Sequence, residues 1–141
     1  MALDLGMAFL ATAGYCLLIN VPRRHMLPAA LGGALSWCAY LLLRDRIDSL
    51  FYLLVLVGAA TAAYAELCAK LARAPATIFL VPGLIPLVPG KYVYYMMFSL
   101  VESDLTGMRS YALLTAEWAF GLATGICLIA VVHQLANQKR S

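Results

Sequence analysis

Residues 78–90, IFLVPGLIPLVPG, hold three prolines and two glycines and not one side chain able to form a hydrogen bond. Each proline lacks an amide donor and crowds the turn before it, so a regular helix cannot run through all three. The stretch is nevertheless apolar enough to leave water. In a hydrocarbon layer every unpaired amide or carbonyl costs several kcal/mol, so irregular backbone survives only against protein or a wet cavity. Any fold must therefore bring neighbouring helices or trapped water to Pro82, Gly83, Pro86, Pro89 and Gly90. Lys91 follows immediately.

The rest of the chain makes the bilayer the expected solvent. Of 141 residues, 64% are hydrophobic and 12% charged, where a soluble domain is about a quarter charged. So few polar side chains cannot clothe a soluble surface of this size. The net charge of +3 comes from basic residues beside apolar runs, with no dense basic stripe, which argues against a nucleic-acid partner. Cys16, Cys38, Cys68 and Cys127 are scattered, without CxxC or zinc spacing. They read as small apolar packing residues, and no metal or cofactor is expected. Neither a GxSxG, an HExxH nor a P-loop motif is present, so hydrolase or ATPase chemistry has no residues to carry it.

A helical span needs about 20 apolar residues. Such runs fall at 3–20, 26–43, 50–69 and 110–133, with the broken segment 76–102 between the last two. The expectation is one domain over 1–141, an all-α integral membrane protein of about five transmembrane helices, one broken by the Pro/Gly-rich segment. Asp4 stands where a signal peptide would carry a basic residue, so the first run reads as a retained span. If 76–102 crosses once, Arg23, Arg24, Lys70, Arg73, Lys139 and Arg140 share one side. Arg44, Arg46 and Arg109 then take the other, with most loop acids. A re-entrant hairpin at 76–102 would erase that contrast. The positive-inside rule thus favours five spans, with the C-terminus in the cytoplasm.

Small residues recur at close-approach spacing. Gly121 and Gly125 form a GxxxG pair, and Gly58 and Ala62 are similarly placed, so other helices are expected to pack there, with pairing of two copies of the chain through the GxxxG face left open.

Charges inside the apolar runs are the candidate site residues. Residues 91–102 reach roughly 18 Å as a helix, a little over half the hydrocarbon thickness, which puts Lys91 near the midplane. There its ammonium and the free amides of a half-helix would converge on a carboxylate; the alternative is a lysine that snorkels to the interface. Intramembrane acids mark pathways or proton relays, which makes Glu66 and Glu117 proton-coupling candidates. Glu66 has a simpler alternative, an i,i+4 pair with Lys70. Glu117 has no basic partner on its own helix, which leaves a functional role or a bond to another subunit. The run YVYYMMF reads as packing or interfacial anchoring, and His25 and His133 as solvated residues at span ends.

Two motifs carry a resemblance. NVPRRHMLPAALGGALSW joins an Asn-x-Pro-Arg-Arg turn to a glycine-bearing helix and a tryptophan. AYAELCAKLARAPATIFLVPGLIPLVPGKYVY joins an acidic span end, an Ala-Pro-Ala-Thr turn and a Val-Pro-Gly core. Over nearly its whole length the chain resembles the threonine/serine exporter family, in its small, stand-alone, C-terminal-half type. Asn20, Pro22, Arg23, Glu66, Pro75, Pro82, Gly83, Pro86, Pro89 and Gly90 match motif positions; Lys91 departs from the small or variable residue expected after Pro-Gly. The resemblance implies a bacterial inner-membrane secondary exporter of small amino acids or succinate-like dicarboxylates, acting with a larger partner subunit. A non-conducting assembly or stability subunit is the alternative.

Overall fold

The computed structural model describes residues 2–138 and the side chains of residues 3–136. Lys139 and Arg140, on which the charge argument draws, lie outside the described residues. All regular structure among the described residues is helical: α1 (Ala2–Leu18), α2 (Arg23–Leu43), α3 (Leu50–Ala72), α4 (Thr77–Leu84), a 3₁₀ turn (Ile85–Leu87), α5 (Gly90–Val101) and α6 (Leu105–Gln138).

Three helix ends share one device. Asn20, Arg73 and Ser103 adopt left-handed φ values of 57°, 50° and 60°. Each lets the next amide reach back to a carbonyl of the last turn: Val21 to Cys16 at 2.9 Å, Ala74 to Ala69 at 3.1 Å, Asp104 to Ser99 at 2.9 Å. Asp104 then caps α6, its Oδ1 accepting from the Gly107 amide at 3.0 Å.

Helices α2, α3 and α6 are long and apolar enough to cross a membrane. The pair Thr77–Leu87 and Gly90–Val101, bent by 52°, is a fourth crossing if it acts as one span. The expected count of five is therefore not reached by length and composition. The difference is α1, which is apolar but stops at Leu18 because Asn20 turns the chain.

Contacts give each helix a direction. Thr12 packs on Gly33 and Cys16 joins Ala29, so α1 and α2 are antiparallel. Phe79 packs with Ala65, Gly83 with Thr61, and Leu87 with Leu53 and Val57, so α4 and the 3₁₀ turn descend along α3. Gly58 meets Leu122 and Gly121 meets Leu54, so α3 and α6 run parallel. One end of the bundle gathers the 19–22 and 73–76 connections; the other gathers 44–49.

Between membrane helices close contact replaces water exclusion as the cohesive term. A Cβ on Gly121 would stand 2.8 Å from Leu54 Cβ, and one on Gly58 would stand 2.9 Å from the Leu122 carbonyl oxygen. The GxxxG face is thus filled by α3 of the same chain. The helix partner expected at this face is therefore a span of the same chain, since adjacent spans within one chain use the motif as readily as separate chains do.

Candidate functional site

The break falls later than the prolines alone suggest. Pro82 and Gly83 are helical in α4, and no described glycine has positive φ. Helical hydrogen bonding tightens to 3₁₀ at Ile85, and Val88 is extended, with ψ of 128°. A single proline costs a helix one bond and remains tolerable. Pro86 and Pro89, three residues apart, remove donors from successive turns, and the helix stops there.

The expectation that protein must cover this backbone is met at Gly83. In a 3₁₀ turn its carbonyl would look to residue 86, which is proline and has no N–H. Ser36 of α2 replaces that donor: its Oγ donates to the Gly83 oxygen at 2.6 Å and also lies 2.9 Å from the Gly33 oxygen. Glycine allows the approach. A Cβ on Gly83 would meet Thr61 Cγ2 at 3.2 Å, with Gly32 just behind it at 3.8 Å. Pro82, Gly83 and Leu87 are buried, whereas Pro86 and Pro89 are half-buried.

This crossing lies near the middle of α2 and of α3 and is lined by hydroxyls. Thr12 donates to the Ala8 carbonyl at 2.8 Å, Thr61 to Val57 at 2.8 Å and Tyr64 to Pro28 at 2.9 Å. A cavity of about 50 Å³ sits among Gly32, Ser36, Thr61 and Tyr64. That is room for one water, whose share of the liquid is about 30 Å³, and too little for an amino acid. A wider, open groove of about 340 Å³ lies beside Pro86, between Asp4, Met7, Ala8, Ala11 and Trp37.

Lys91 is not at this level. Leu87 packs beside Leu43, Ile47 and Leu50, so the break already lies at the end of the bundle that holds the 44–49 connection. Lys91 and Gly90 are exposed, with the Lys91 Nζ 6.0 Å from the centre of the Tyr95 ring. The midplane placement took 91–102 as a half-helix running from the middle of the hydrocarbon to one face of the membrane. Instead α5 continues outward as a hairpin with the first part of α6, Tyr95 stacking on Tyr111 at 5.5 Å. At the root of that hairpin Trp118 is buried between Tyr40, 5.5 Å away, and Tyr92, 5.9 Å away.

The acids are separated too. Glu66 meets His133 of α6, Oε2 to Nδ1 at 3.3 Å, with 26% and 25% of the two side chains exposed. This cross-helix contact replaces the expected pair with Lys70, which is exposed, and gives His133 a partner inside the protein. Glu117 is half-buried on α6, next to Trp118. The structure therefore divides the sequence candidates into three places: Pro82, Gly83 and Pro86 in the bundle, Pro89, Gly90, Lys91 and Glu117 toward one end, and Glu66 toward the other. Sequence reading missed Ser36, Thr61, Tyr64 and Trp118. Hydroxyls embedded in small-residue apolar runs were the available signal, and nothing local pairs them with residue 83.

Residues 4–132 match the family model described as Threonine/Serine exporter, ThrE. No curated protein and no solved structure matches the chain.

Proposed function

The chain belongs to the threonine/serine exporter family, and from that premise we propose that it forms half of a secondary exporter whose route passes the broken α4–α5 segment. Its role is membrane transport of the threonine/serine exporter type. The observation that carries the finer reading is the helix that leaves its regular course between Gly83 and Pro89, with the Gly83 carbonyl accepting a hydrogen bond from Ser36 of α2. Discontinuous helices of this kind present bare carbonyls and half-helix termini to a solute. In this reading Pro82, Gly83 and Pro86 shape the inner part of the route. Pro89, Gly90 and Lys91 form its mouth, the ammonium drawing in the carboxylate of threonine, serine or a succinate-like dicarboxylate. Glu66, with His133, and Glu117 are the proton-coupling candidates.

The remaining features of the proposal follow from the same frame. Five spans place the C-terminus in the cytoplasm of a bacterial inner membrane, with α1 counted as a short crossing. A larger partner subunit supplies the rest of the solute chamber, since the internal cavity of about 50 Å³ is too small to hold the solute.

Proteoliposomes holding this chain and its partner are expected to move labelled threonine, serine or succinate when a proton gradient is imposed. A verified, folded complex that moves none of them removes the proposal. Changing Pro86 and Pro89 together to alanine straightens the break and is expected to abolish transport while leaving assembly intact. Normal transport by that variant would favour the assembly-subunit reading instead.

A further inference from the structure

Trp118 is 5% exposed, and its indole Nε1 has no hydrogen-bond acceptor among the described residues. Buried polar atoms almost always have partners, and a donor left unmatched in a bundle bounded by lipid has no water to fall back on. The setting shows where an acceptor would come from. The indole lies between Tyr40 at the end of α2 and Tyr92 in the first turn of α5. Trp37 stacks on Tyr40 at 5.2 Å, extending the aromatic wall toward the groove beside Pro86. Lys91 is the residue before Tyr92. The α5 helix begins at Gly90 with no side-chain cap, its Gly90 and Tyr92 amides donating to the Val88 and Pro89 carbonyls. An unmatched neutral donor, an ammonium and the positive end of a helix thus lie at the same end of the bundle, and all three favour an anionic oxygen.

Access requires α5 to move. Among the helices the α5 backbone packs on α6 alone, and it joins α4 through the extended Val88 and Pro89. A rotation at that joint lifts Tyr92 off the indole by parting the start of α5 from α6, and leaves the packing of α1 to α4 in place.

We infer that the Trp118 indole N–H is a binding donor for the carboxylate of the exported solute, exposed when α5 swings about Val88–Pro89. The inference rests on the exporter reading and adds to it a residue that fixes the solute's orientation. Lys91 attracts the charge over a distance, whereas a single indole N–H selects one oxygen at hydrogen-bond range. Tyr40 and Tyr92 supply the apolar walls.

The test uses the full chain, reconstituted with its partner. The chain has two tryptophans, so an ultraviolet resonance Raman difference between wild type and Trp118→Phe isolates the Trp118 indole. Should Trp118→Phe fail to fold, Trp37→Phe supplies a chain whose only tryptophan is Trp118. Saturating L-threonine or L-serine is expected to shift the N–H marker band to its hydrogen-bonded position. Threoninol, which lacks the carboxylate, is expected to leave it unmoved. The half-saturating threonine concentration for transport by Trp118→Phe is expected to rise about tenfold, the effect of losing one good hydrogen bond. A complex that transports threonine while the band stays still overturns this inference and leaves the exporter reading intact. A band shifted equally by threoninol also overturns it. A verified complex with no transport at all overturns both.

Discussion

Ser36 shows how much one side chain can settle. Its hydroxyl lies 2.6 Å from the Gly83 oxygen, a carbonyl that Pro86 has deprived of its 3₁₀ donor. Ser36→Ala is therefore expected to lower stability by about 1–3 kcal/mol, the cost of an unsatisfied buried carbonyl. Thermal unfolding in detergent measures it, and an unchanged midpoint would mean that another donor takes over. Ser36→Thr keeps the hydroxyl and should recover part of the loss. Glu66 is the second informative residue. It meets His133 across α3 and α6, Oε2 to Nδ1 at 3.3 Å. Glu66→Gln is expected to fold and to reach the membrane, yet to lose most of the stimulation of transport by an imposed proton gradient. Retained stimulation would move the coupling role to Glu117.

At the scale of elements, α3 and α6 form the broadest contact in the chain and depend on having no side chain at Gly58, Gly121 and Gly125. Gly121→Leu drives a side chain into Leu54 and the Phe51 carbonyl. Overpacking of this kind costs about 1–3 kcal/mol. Because both partners here are backbone or buried leucine, the loss should lie at the upper end of that range and show as a reduced yield of folded protein. Gly14 faces open space, with nothing within 4 Å, so Gly14→Leu is the matched control and should be silent. The α4–α5 unit has the opposite design. Its inner part is gripped by α2 and α3, while its outer part packs on α6 alone, so the break divides a half held by two helices from a half held by one.

Across the whole molecule, the directions of the helices place the connections bearing Arg23, Arg24 and Arg73 at one end and Arg44 and Arg46 at the other. Cysteine accessibility converts this arrangement into membrane sidedness. In a chain whose four native cysteines are replaced, Arg24→Cys and Arg73→Cys should label from the cytoplasm. Arg46→Cys and Ser103→Cys should label from outside. If Ser103→Cys and Arg73→Cys label from the same side, the 76–102 segment is re-entrant and the five-span arrangement fails. The α6 helix, 34 residues and about 51 Å at helical rise, is longer than a hydrocarbon core of about 30 Å. With α5 it stands beyond the ends of α2 and α3.

The apolar runs determined from sequence alone that this protein is helical and belongs in a membrane, because only helices satisfy their own backbone there. The prolines likewise required that residues 82–90 be covered by something polar. Which group covers them was decided by tertiary structure. Ser36 and Gly83 are 47 residues apart, and no local periodicity couples positions at such a distance. The pairing of Glu66 with His133 and the filling of the GxxxG face by α3 are decisions of the same kind. Helical pattern fixes the face a residue occupies, whereas its partner depends on how the faces of separate helices are brought together.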